Sequence, residues 1–124
     1  LESAASDDDL LRDEERMGRI LDAIARAKVA DRRLRLAQSL VDDIGVQLAY
    51  QAILHNLDVI AEAVQSIPAE ILERDPGTPW GEIVALPDAI GHGYLRIAPE
   101  AIHRMVETQL VPLDVAVRRL RAAQ

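Results

Sequence analysis

An all-α fold, a bundle of four to five helices, is what this sequence predicts, and three observations predict it. The hydrophobic 49% of the chain is built from Ala, Leu, Ile and Val, with Trp80, Tyr50 and Tyr94 as its only aromatics and no Phe. Such a composition favours helices over a β-sandwich, whose core wants β-branched and aromatic side chains. Apolar residues recur at helical spacing, best seen in Ile53, Leu57, Ile60, Val64 and Ile67, which form one stripe of an amphipathic helix. Prolines and an Asp75-Pro76-Gly77 turn separate these segments without any low-complexity linker. At 124 residues there is material for one domain.

The first helix is expected over about residues 8–28, where Leu10, Met17, Ile20, Leu21 and Ile24 keep helical spacing behind Asp7-Asp8-Asp9. Acids at that end complement the helix dipole. Residues 1–9 read as an acidic tail, disordered or not native to the protein, ahead of a single domain over 10–124. The second helix begins between Leu40 and Val46 and ends before Pro68. Pro68 opens one or two further turns. Thr78-Pro79-Trp80-Gly81-Glu82 reads as an N-cap, a proline at the first helical position and an acid in the first turn. Pro87 should bend or break the helix that follows, and Gly91 and Gly93 should loosen its end. Pro99 opens the last helix, with Pro112 kinking it. There Val106, Leu110, Leu113, Val117 and Leu120 repeat at 4-3-4-3, a seam for other helices or for a second copy of the chain.

The formal charge of −7 is unevenly spread. Residues 1–15 hold seven acids and one base, whereas the rest of the chain is close to neutral. Two basic clusters, Arg26-Lys28-Arg32-Arg33-Arg35 and Arg118-Arg119-Arg121, either hold phosphates or are solvated helix faces. No cysteine is present, which excludes a disulfide scaffold, a Cys zinc site and a thiol nucleophile. The chain has no apolar run near the ~20 residues that span a bilayer, and no signal-peptide pattern. A cytoplasmic domain is the expectation.

Three histidines are candidates for chemistry. His55, with Asp58 and Glu62 nearby, reads as a surface ion pair, and so does His103 with Glu107 four residues on. His103 and Glu107 lack the further ligands a metal would need. His92 stands apart in Ile90-Gly91-His92-Gly93-Tyr94, flanked by glycines. A histidine and a tyrosine exposed in this way suit acid–base chemistry, because imidazole titrates near neutrality. A helix cap is the other reading of the same histidine.

Pro79-Trp80-Gly81-Glu82-Ile83, then Asp88 and His92-Gly93-Tyr94, then Pro99-Glu100 resemble the HepT-like toxins of the HEPN superfamily. Their run is Pro-Trp-x-Glu-Ile, Arg-Asn-x-x-x-His-x-Tyr and, after a short loop, Pro-Glu. The stretch from Ile53 to Ala63 is similar to a second family motif, and the likeness extends from about Leu10 to Leu120. The resemblance implies a homodimeric HEPN-like bundle that cleaves RNA with neither metal nor cofactor. It implies the toxin role in a type II/VII-like toxin–antitoxin pair, neutralised by a nucleotidyltransferase antitoxin of the MNT type. By position His92 becomes the acid–base catalytic residue. Tyr94 becomes both a catalytic residue and the acceptor of AMP, and Asp88 supports the motif where the family has Asn.

The serious departure from the pattern is at one position; His55 for a basic residue and Ala61 for Gly are milder ones. Pro87 stands where the motif's arginine would bind the scissile phosphate. Losing such a donor typically costs about 10²–10³ in rate. Two readings follow: a ribonuclease drawing its phosphate-binding base from elsewhere, or a non-catalytic relative that binds protein or RNA. A plain helical scaffold dimerising through the 106–120 seam is a third.

Overall fold

A computed structural model describes residues 6–92 and 96–124 of the chain. Helix α1 spans Asp7–Ser39, α2 Asp43–Ser66, α3 Ala69–Leu72 and α4 Trp80–Gly91. After the connection come α5, Pro99–Met105, a π-helical turn, Val106–Leu110, and α6, Val111–Ala122. No strand occurs among the described residues, and no helix among them is long and apolar enough to cross a membrane.

The Asp9 N–H donates to Ser6 Oγ at 3.2 Å, capping α1. Asp7, Asp8 and Asp9, expected in the tail, form its acidic first turn. The helix does not stop near residue 28. Ala27, Ala30, Leu34 and Ala37 carry its buried stripe onward, and the basic residues project from its other sides. The link to α2 is tight. Val41 takes φ 53°, the left-handed region. Asp42 Oδ1 then accepts the Gly45 N–H at 2.9 Å to cap α2. A Cβ on Gly45 would stand 2.4 Å from Asp42 Oδ2 and 3.1 Å from the Ala37 Cβ, so a side chain there would have to push the capping carboxylate aside.

The α1–α2 hairpin is the frame of the molecule. Met17, Ile20 and Ile24 of α1 share one core with Ile53, Leu57, Ile60 and Val64 of α2, all of them buried. α4 packs on α2, while α5 and α6 pack on α1. Leu110, Leu113, Val117 and Leu120 belong to that same core. The 106–120 seam is therefore spent inside the chain, which removes it as a surface for a second copy.

Three local expectations need correction. Pro79, not Thr78, occupies the N-cap of α4, and the Thr78 hydroxyl donates instead to Asp75 Oδ1 at 3.2 Å. The entrance to α4 is fixed by Trp80, whose Nε1–H reaches the carbonyls of Leu72 and Asp75, each at 3.1 Å. Pro87 lies inside α4 without ending it. Ile83 is buried, and Val84, Leu86 and Ile90 pack on the core, so tertiary contact holds the helix through the missing hydrogen bond. The irregularity expected at Pro112 takes the form of the π-helical turn before it, where the Val111 N–H donates back to the Val106 carbonyl. Thr108 Oγ1 donates to the Arg104 carbonyl at 2.7 Å in the same stretch.

Candidate active site

His92 sits at the C-cap of α4 with its side chain exposed. Its Nδ1 lies 2.9 Å from the Asp88 carbonyl oxygen, which also accepts the His92 backbone N–H at 3.3 Å. A carbonyl oxygen can only accept, so Nδ1 carries the proton and donates it. In the neutral imidazole this leaves the lone pair on Nε2, the ring's other nitrogen. Asp88 thus serves His92 through its main chain. Its own carboxylate is exposed and takes part in no ion pair among the described residues.

Two contacts hold this end of α4 and the segment beyond it. A Cβ built on Gly91 would stand 3.6 Å from Leu54 Cδ1, so the helix end lies against α2 at ordinary contact distance. One turn earlier on α2, the buried Tyr50 donates its hydroxyl to the Ile97 carbonyl. Burial, and then the nearby Glu100 carboxylate, raise the Tyr50 pKa above its ordinary 10.0. Tyr50 was not readable as a site residue. Its place beside Ile53 and Leu57 marks it as core, and only its hydroxyl has a second task.

Gly93, Tyr94 and Leu95 lie outside the described residues, so the candidate Tyr94 has no stated position. Pro87 is half-buried and offers no donor. Arg96 and Arg104, the nearest bases downstream, are exposed and form no ion pair or hydrogen bond with His92. His55 is exposed and makes no ion pair with Asp58 or Glu62.

His103 does more than its spacing suggested. Its Nε2 approaches Glu107 at 3.6 Å, as expected of neighbours four apart, but its Nδ1 lies 2.7 Å from Asp31 Oδ2. Asp31 is only 3% exposed, and its other oxygen is buried without a hydrogen-bond partner. One signal was available for it: an acid on the apolar stripe of α1, between Ala27 and Leu34. No group of three or more His, Asp or Glu side chains that could hold a metal occurs among the described residues.

The structure is an all-helical bundle with an exposed histidine at the end of its fourth helix, and comparison defines the family. The family described as Ribonuclease HepT-like matches residues 20–120, so the chain belongs to the HepT-like ribonucleases. A protein named “Putative RNase” from Caldanaerobacter subterraneus subsp. tengcongensis is 27% identical over 70 residues, covering 56% of this chain and 62% of that protein. Another of that name from Methanocaldococcus jannaschii is 34% identical over 65 residues, covering 52% of this chain and 53% of its own. The chain thus spans between half and two thirds of the length of these curated relatives. No solved structure matches it.

Proposed function

We propose that this chain is the toxin of a type II/VII-like toxin–antitoxin pair, an endoribonuclease that cleaves cytoplasmic RNA without a metal. The observation that carries the reading is His92 at the motif position, its Nδ1 tied to the Asp88 carbonyl at 2.9 Å and its side chain in solvent. An imidazole held in this way takes a proton at Nε2 from a ribose 2′-OH. The oxygen so freed attacks the adjacent phosphorus, and the 5′-oxygen of the next nucleotide leaves. The proton returns from imidazolium to that leaving oxygen, so the residue ends as it began. Tyr94 is the acceptor of AMP from a nucleotidyltransferase antitoxin, a modification that places a bulky anionic group two residues from His92.

The protein acts as a homodimer. The face suited to a second copy is the outer side of the α1–α2 hairpin, where Leu36, Leu40, Ile44 and Leu48 are exposed around a groove of about 710 Å³. Arg26 and Arg33 rim this face along α1, and Asp42 stands at the hairpin tip. A two-fold arrangement that sets the tip of one hairpin against the middle of the other brings these opposite charges together.

Pro87 supports a second reading, a non-catalytic dimer, because proton transfer alone leaves the charge on the phosphorane oxygens unstabilised. One assay separates the two: cleavage of bulk RNA and tRNA by purified protein in EDTA. The ribonuclease reading expects cleavage that falls by about 10²-fold or more in His92→Ala. An inert native chain that gains cleavage with Pro87→Arg would replace it with the second. Tyr94→Phe is expected to abolish AMP transfer.

A further inference from the structure

The proposed dimer face takes Arg26 and Arg33 and leaves the other bases on the second half of α1 without a role. Residues 19–39 carry six bases, Arg19, Arg26, Lys28, Arg32, Arg33 and Arg35, against two acids, Asp22 and Asp31. Asp31 is buried and engaged with His103, so Asp22 is the only exposed acid on this half. Residues 6–18 of the same helix hold six acids and two bases. Several arginines at that opposite pole find carboxylates, although among the described residues Arg74 bonds only Gln124 Oε1 and Arg121 makes no ion pair. Arg12 pairs with Asp9 at 3.6 Å, Arg16 with Asp13 at 3.1 Å, and Arg119 with Asp75 at 2.9 Å. Among the described residues none of the six bases over 19–39 makes an ion pair.

Helix-dipole complementation does not account for them either. That effect is confined to the last turn of a helix, and the last turn of α1 contains no base. Lys28, Arg32 and Arg35 are spaced i, i+4, i+7, so they share one side of the helix. Arg26 and Arg33 belong to another side, toward the α1–α2 groove. Asp31 lies three residues from Lys28 and four from Arg35. Its 2.7 Å contact with His103 seats α5 beside them. On the neighbouring helix, Tyr50 and Leu54 touch Ile97 and the end of α4, and the hairpin runs them alongside the same stretch of α1. The side formed by the three bases and His92 therefore occupy the same end of the bundle.

We propose that Lys28, Arg32 and Arg35 form a ledge, at the end of the bundle that carries His92, that binds the sugar-phosphate backbone of the RNA. The choice of RNA among polyanions rests on the ribonuclease reading above. Arg32 and Arg35 present planar forks that fit phosphate oxygens, and Lys28 adds a point charge. Such contacts give affinity without sequence preference and release counterions, so binding should weaken steeply with salt.

The test uses the full chain carrying His92→Ala, so that RNA is bound and not consumed. Its affinity for a fluorescein-labelled single-stranded RNA is measured by anisotropy over a KCl series. The Lys28→Ala/Arg32→Ala/Arg35→Ala variant should bind at least tenfold more weakly at low salt, with the slope of log K against log[KCl] smaller by about 2, near 0.7 for each lost contact. All three side chains project from the helix surface, and circular dichroism checks that the variant is folded. Arg32→Lys/Arg35→Lys, which keeps the charge, should retain most of the binding. Arg118→Ala/Arg119→Ala, which removes bases at the other pole, should leave the slope unchanged. Equal affinity and slope in the triple variant would overturn the ledge. So would an equal loss in the Arg118/Arg119 variant, or no RNA binding by the parent chain. If the triple variant loses binding while the native chain never cleaves, the ledge stands and the ribonuclease reading falls. Cleavage by the native chain, with a KM unchanged when the same three substitutions are made with His92 intact, means the reverse.

Discussion

Two residues do most to define the candidate site. His92 is oriented by a main-chain carbonyl, which fixes the tautomer without placing a charge beside the ring. Tyr50 ties α2 to the segment after His92 by donating to the Ile97 carbonyl. Its phenolate is opposed by burial and by Glu100, so its pKa in the folded chain lies above the 10.0 of the unfolded one. Stability from this source is complete below that unfolded value and is lost as pH rises through the folded one. Urea midpoints at neutral pH and well above pH 10 should therefore fall further in the wild type than in Tyr50→Phe. A drop of the same size in both would show that Tyr50 takes no part in the alkaline loss. His92 was legible in the sequence because glycines flank it within a motif. The partner of His103 was not, because 72 residues separate it from Asp31 and only the fold brings them together.

At the scale of the element, the sequence carries periodicity well and boundaries poorly. The α2 stripe and its end before Pro68 are as the spacing predicts. α1 overruns its expected end by eleven residues, because the basic side chains of 26–35 hide a stripe of small apolar ones. Pro87 misleads in the same direction, since packing on α2 outweighs the one hydrogen bond it deletes. The hairpin tip contains a feature no periodicity could reveal: a β-branched Val41 at φ 53° with its side chain 82% exposed. Left-handed backbone costs such a residue about 1–2 kcal/mol, and nothing packs on the side chain in return. Val41→Gly removes the strain at an entropic cost of about 0.5–1 kcal/mol. The variant should be more stable by up to about 1 kcal/mol in denaturant unfolding, and a loss would mean that the valine is held by contacts outside this chain.

For the whole molecule, the bundle fills its interior with the 106–120 seam and leaves a different apolar face open. The homodimer proposed above would use this face, the outer side of the α1–α2 hairpin. Sedimentation equilibrium should find dimers of the native chain and monomers of Leu36→Glu/Leu48→Glu, both residues being about 60% exposed in the single chain. A dimer undisturbed by these two charges would move the interface elsewhere.

The opposed charges of the two halves of α1 also shape how the molecule meets a polyanion at a distance. A chain of net charge −7 should be repelled by RNA on average. Its long helix nevertheless acts as an electric dipole, acidic at its start and basic toward the hairpin. Approach from the acidic pole is disfavoured and approach from the basic one favoured, so encounters are sorted by orientation before any contact is made, most strongly at low ionic strength.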